Sequence, residues 1–101
     1  YEDFTKDCIV KNNNGVFVDS IFIEGHTDNV PVAFSERFQS NWDLSAARSG
    51  SVADYLVAEG FITPSSVTVT GFADTVPVAS NDSAAGRAQN RRIEITIKGG
   101  A

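Results

Sequence analysis

Val16-Phe17-Val18-Asp19-Ser20-Ile21-Phe22-Ile23-Glu24, followed at once by Gly25-His26-Thr27-Asp28-Asn29, is the stretch that decides the fold of this chain. Its first nine residues are rich in Val, Ile and Phe, which pack well on a pleated surface and lose rotamer freedom in a helix. Ile21-Phe22-Ile23 places apolar side chains on both faces of a strand, the pattern of a central strand covered on both sides. Gly25 to Asn29 then leaves that strand and opens a polar loop that contains Pro31.

Toward the C-terminus the signals alternate. Ser40 stands three residues before Asp43, a capping-box-like start with an acidic residue in the first turn, and predicts a helix to about Glu59. Gly60 ends it and Pro64 prevents its resumption. Val67-Thr68-Val69-Thr70 alternates as a second strand. Gly71 to Gly86 reads as a loop with Pro77, Asn81 and Asp82, with a short helical turn over Gly86 to Asn90. Ile93 to Lys98 is a third strand whose odd positions face a core. On the N-terminal side, Phe4, Cys8 and Ile9 fall at helical spacing before Asn12-Asn13-Asn14-Gly15, so residues 1–15 are expected to be a helical lead-in. Residues 99–101 are expected to be a frayed tail. No internal repeat stands out. Strands separated by helices indicate an α/β fold, specifically an α+β sandwich of two layers.

The 101 residues fit one domain, with a motif-bearing part over about 16–98. A net charge of −5 argues against nucleic acid as a partner, because phosphate binding needs a basic field. An anionic ligand must be met by a few placed arginines. Cys8, the single cysteine, cannot form an internal disulfide. No apolar run approaches the ~18–20 residues of a membrane span, so any membrane attachment would come through segments outside these residues.

Three polar segments fall at strand ends: Gly25 to Asn29, Asp74 to Asn81, and Arg87 to Arg92. Loops at strand ends are where α/β sheets gather ligands. With Leu44 as zero on a wheel of about 100° per residue, Arg48 falls near 40°, between Tyr55 near 20° and Val52 near 80°. An arginine within an apolar stripe is costly unless its guanidinium meets an acceptor. Asp28, at the end of the strand beneath this helix, is the candidate acceptor. A carboxylate beside a five-donor fork is complementary to a zwitterionic amino-acid head.

Gly25-His26-Thr27-Asp28-Asn29, Asn41-Trp42-Asp43-Leu44-Ser45-Ala46-Ala47-Arg48, and Asn81 to Gly86-Arg87 with Asn90-Arg91-Arg92-Ile93-Glu94-Ile95 together resemble, in order, the C-terminal domain family of OmpA, MotB and Pal. The loop Val30 to Ser40 and the Ser40-Asn41-Trp42 lead-in resemble the flagellar-stator MotB type. The resemblance implies a βαβαβ-type mixed sheet with helices on one face, the first strand of the family being absent here or replaced by Tyr1 to Asn14. It implies a periplasmic, non-enzymatic domain that holds peptidoglycan through the diaminopimelate of its stem peptide, without cofactor or metal. Such a domain anchors a membrane protein or a motor to the wall, and the family leaves room for a homodimer. Carried over by position, Asp28 would take the ligand ammonium and Arg48 its carboxylate. Thr27 and Asn29 would shape the loop, Asn41 and Leu44 would line the helix side, and Arg91 or Arg87 would close the other wall. Ser49 and Ala73 depart from the family, which commonly has Ala at the first and a glycine-richer loop at the second.

Other readings stand beside this one. Asp28 and Arg48 could be a purely structural pair. His26, Asp28 and Asp74 could serve a small metal-dependent or hydrolytic enzyme, although no close-spaced His or Cys set and no glycine-flanked nucleophile is present. The fold could also persist in a protein-docking domain that has lost wall binding. Trp42 reads more readily as a staple over the hydrophobic edge than as a sugar platform. Arg91 and Arg92, adjacent at the start of a strand, point to opposite faces, so Arg91 is expected in the site and Arg92 on a structural partner.

Overall fold

A computed structural model of the chain describes residues 8–12, 17–32 and 38–100. Strand β1 is Cys8–Asn12, β2 Phe17–His26, β3 Val67–Gly71 and β4 Arg92–Gly100. Helix α1 is Asn41–Ala58, α2 is Ala84–Asn90, and Pro64–Ser66 forms a single 3-10 turn. The strands make one mixed sheet in the order β1-β4-β2-β3. β1 runs parallel to β4 and β2 parallel to β3, while β2 and β4 are antiparallel.

Two expectations are corrected here. The helical lead-in is a strand over Cys8–Asn12, in register with Ile93 to Ile97; residues 1–7 and 13–15 of that reading lie outside the described residues. Five residues are too few for periodicity to separate helix from strand, and β-branched Ile9 and Val10 favour the strand once β4 offers a ladder. This strand fills the sheet edge that the sequence left in doubt. Gly99 and Gly100 are likewise no frayed tail, because they pair with Val18 and Phe17; Ala101 lies outside the described residues.

Helix α1 begins as its sequence dictates. Ser40 holds an extended backbone and its Oγ accepts from Asp43 N at 3.2 Å, while Asp43 Oδ2 accepts from Gln39 N at 3.1 Å. At the other end Gly60 sits at φ +76, with Gly60 N donating to Val57 O and Phe61 N to Leu56 O, both at 3.0 Å. These are the two bonds of a Schellman stop, which needs a residue free to enter the left-handed region.

The helix covers one face of the sheet. Ile21 and Ile23 of β2, Ile93 and Ile95 of β4, and Val52 and Ala53 of α1 form the buried core, with Leu56, Ile62, Val67 and Ile97 packed at its margin. The register Ile21↔Ile97 and Ile23↔Ile95 puts those isoleucines side by side. Phe22, on the other face, is only half-buried and lies under Lys98, whose Nζ is 5.0 Å from the ring centroid. A charged side chain there stands where a second helical layer would have covered the strand.

The buried stripe of α1 runs through Ser45, Arg48, Ser49, Val52 and Ala53. It is centred near about 100° on the wheel, so Tyr55 falls outside it and is exposed. Serines occupy this stripe because the helix backbone rests directly on the ends of β2 and β3. A Cβ on Gly25 would collide with Ser45 O, and one on Gly71 would come within 2.7 Å of Ala46 N.

Candidate functional site

The site is assembled where β2 and β3 end and β4 begins. β2 and β3 continue side by side past their last ladder pair. Phe72 N donates to Gly25 O at 2.9 Å and Thr27 N to Ala73 O at 2.8 Å. Between these bonds the His26 and Phe72 rings stack, 5.2 Å apart and 5° from parallel. Ala73 pays for its place with a left-handed φ of +53, and its N–H is held by Ser45 Oγ at 3.0 Å. The Ser45 hydroxyl also donates to Trp42 O at 3.1 Å. Ser49 Oγ lies 3.0 Å from Ser45 O and 3.1 Å from Thr70 O, which gives this departure from the family a partner on β3.

The parallel register exposes a repeat that the sequence reading overlooked. Gly25-His26-Thr27-Asp28-Asn29-Val30-Pro31-Val32 and Gly71-Phe72-Ala73-Asp74-Thr75-Val76-Pro77-Val78 share Gly, Asp and Val-Pro-Val at matching positions. The β2–β3 ladder aligns the two segments, Gly25 opposite Gly71. Their aspartates nevertheless differ. Asp74 is exposed, whereas Asp28 is buried, its Oδ1 accepting from Val30 N at 3.0 Å.

Asp28 Oδ2 lies 2.6 Å from Nη1 of Arg91, a side chain that is 46% exposed. The wheel had pointed to Arg48 as the partner of Asp28, and the family resemblance to Arg91 or Arg87 as the opposite wall; in the structure Arg91 meets Asp28 itself. Arg48 is 7% exposed, on the α1 stripe turned toward the sheet. Asn41 ties the start of α1 to the same loop, its Nδ2 lying 3.4 Å from Asp28 O and 3.2 Å from Val30 O. Thr27 is buried and spends its hydroxyl on Asp28 O at 2.8 Å. Asn29 is exposed and Leu44 half-buried. Arg87 reaches Asn81 O at 2.9 Å and so braces the loop after β3.

Behind this corner lies a buried polar layer on the opposite sheet face. Arg92 Nε donates to Glu94 Oε2 at 2.5 Å, its Nη1 to Asn90 O at 3.2 Å and its Nη2 to Val76 O at 2.9 Å. His26 Nε2 is 3.6 Å from Glu94 Oε2. Arg91 and Arg92 thus serve different purposes, as their alternation required. Asn90, 0% exposed, uses Oδ1 to accept from Val78 N and Ala79 N and Nδ2 to donate to Ala79 O and Asn81 Oδ1, at 2.8 to 3.0 Å. No local pattern in the chain signals this brace. Among the described residues no three His, Cys, Asp or Glu side chains gather as a metal cluster would require.

The mixed sheet, the single covering helix layer and a carboxylate–guanidinium corner at the strand ends define an α/β domain of OmpA-like type. The chain belongs to the OmpA family, whose model matches residues 8–91. It is 42% identical over 78 residues to Motility protein B of Bacillus subtilis, covering 77% of this chain and 30% of that protein. It is 43% identical over 77 residues to the peptidoglycan-binding protein ArfA of Mycobacterium tuberculosis, covering 76% of this chain and 22% of that one. Among solved structures it matches the cell wall anchor of the T6SS from Pseudomonas aeruginosa, 48% identical, with a TM-score of 0.70 over 76% of this chain and 52% of that one. The chain therefore spans about a third or less of these two full-length relatives.

Proposed function

We propose that this domain binds peptidoglycan without turnover, gripping the zwitterionic end of the stem-peptide diaminopimelate, and thereby anchors a periplasmic part of a membrane-attached or motor assembly to the wall. The observation that carries this reading is the Asp28–Arg91 ion pair at the strand ends. One of its charges is half open to solvent, and Arg48 lies buried in the adjoining helix. The relatives named for peptidoglycan binding and wall anchoring support the ligand class, and likeness to the periplasmic domain of Helicobacter pylori MotB, 33% identical, supports the periplasmic setting.

The proposed mechanism is an exchange of ion pairs. In the free domain Arg91 neutralises Asp28. A ligand ammonium takes its place on the carboxylate, and the released guanidinium, with Arg48, receives the ligand carboxylate in a forked geometry. Because the ligand ammonium replaces the guanidinium on Asp28, the buried carboxylate is never left without a cation, and one ion pair is traded for another. Asn41 and Thr27 keep the Asp28 loop in place while it happens.

Retention on purified sacculi tests the proposal. Arg48→Ala and Arg91→Ala should each lose on the order of 2–5 kcal/mol of affinity, Asp28→Asn should fall comparably, and retention of the wild type should weaken with added salt. Unchanged retention of both Arg48→Ala and Asp28→Asn would count decisively against it. A hydrolytic or metal-dependent reading on His26, Asp28 and Asp74 predicts instead cleaved wall fragments by mass spectrometry or stoichiometric metal in the purified protein.

A further inference from the structure

Trp42 stands in the first turn of α1 with 57% of its surface exposed, an unusual place for the largest apolar side chain of the chain. Its position ties it to the site on two sides. Its neighbour Asn41 holds the backbone oxygens of Asp28 and Val30, and Val30 is itself 52% exposed. Its own carbonyl accepts from Ser45, the residue that fixes Ala73 on the second loop. An indole and an isopropyl group are thus both open to solvent on segments that capping and side-chain bonds tie to the Asp28 loop. With 57% of its surface open, Trp42 keeps a face free beyond any packing over the hydrophobic edge.

Resting on the peptidoglycan reading above, we infer that Trp42 is a stacking platform for a pyranose ring of the wall glycan, with Val30 at its border and the adjoining stem peptide in the Asp28 corner. Three features favour a sugar. The ring face is apolar and open, as the C–H face of a pyranose requires. Asn41, which precedes the platform and reaches the corner, carries an amide rather than a charge. The backbone that carries the platform is also tied to the corner, through the bonds of neighbouring Asn41 to Asp28 O and Val30 O, so one ligand can span both, since glycan and peptide are covalently joined in that polymer.

The test uses the fact that Trp42 is the only tryptophan, so indole emission reports on this position alone. The probes are a disaccharide-peptide released from sacculi by a muramidase and the same peptide freed of sugar by an amidase. The disaccharide-peptide should shift Trp42 emission to the blue and bind about 5–10-fold more tightly than the peptide, a gain of roughly 1–1.4 kcal/mol. Trp42→Ala should erase that difference while leaving the affinity of the free peptide within about twofold; Trp42→Phe should keep part of it. Equal affinities and unmoved emission in the wild type, with the peptide still bound, overturn the platform and leave the peptide site standing. A Trp42→Ala protein that loses both probes equally shows a structural staple and also overturns it. If the sugar-bearing probe shifts emission while the peptide alone does not bind, the platform holds and the peptide reading fails; if neither probe binds, both fail.

Discussion

Replacing Asn90 by alanine should loosen the whole loop from Val76 to Asn81, although Asn90 is a single uncharged residue at the end of a short helix. The amide uses all four of its hydrogen-bonding positions inside the protein, at 2.8 to 3.0 Å, with no exposed surface. Each such bond contributes about 0.5–1.5 kcal/mol net, so removing the amide could cost on the order of 2–6 kcal/mol. The four bonds are only part-buried, and water can reach the backbone groups once the loop relaxes, which favours the lower part, about 2–4 kcal/mol. For a domain of this size that corresponds to a fall in Tm of roughly 10–25 °C. Urea unfolding followed by circular dichroism should show a lower midpoint with an unchanged slope. Asn90→Asp is the sharper control. It keeps an acceptor for Val78 and Ala79 N–H but turns a carboxylate oxygen toward Ala79 O and Asn81 Oδ1, so it should be no more stable than the alanine variant. A loss below about 0.5 kcal/mol for alanine, or wild-type stability for Asp, would refute the brace.

Three further outcomes follow from the same structure. Gly25→Ala sets a Cβ against Ser45 O and should destabilise by about 1–3 kcal/mol or more, because the opposing atom is helix backbone; thermal melts decide it. Arg92→Met leaves the buried Glu94 carboxylate without its 2.5 Å partner and should cost about 3–5 kcal/mol, of which adding Glu94→Gln recovers a part; equal stability of single and double variants would contradict the pairing. Ala73→Gly relieves the left-handed backbone at φ +53 and should raise stability by up to about 1 kcal/mol, offset in part by the looser unfolded chain. A clear loss on chemical denaturation would mean that the buried methyl outweighs the strain.

Much of the fold was legible because its signals are local. Ser40 and Asp43 announce the start of α1 and Gly60 its end, through bonds among residues only a few positions apart. β2, β3 and β4 declare themselves by side-chain type and alternation. Asp28, Thr27 and Asn41 could be gathered from ordered motifs, and the structure places all three around one loop. The separation of Arg91 from Arg92 was also readable, since alternation along a strand is geometric.

What stayed illegible depends on partners distant in the chain. Five residues at Cys8–Asn12 become a strand only because β4, more than eighty positions later, supplies their ladder. The stripe of α1 is centred on serines because two glycines let the helix backbone settle onto the strand ends, and no hydrophobic wheel registers a backbone contact. The doubled Gly–Asp–Val-Pro-Val segment acquires meaning only when parallel pairing lays its copies side by side. The charge that meets Asp28 is likewise settled by packing, because Arg91 stands 63 residues away. The amino-acid order alone determined which segments could be helix or strand and which side chains carried charge; the closing of the sheet determined which of those charges stand within reach of one another, since Coulombic contact depends on distance in space and not along the chain.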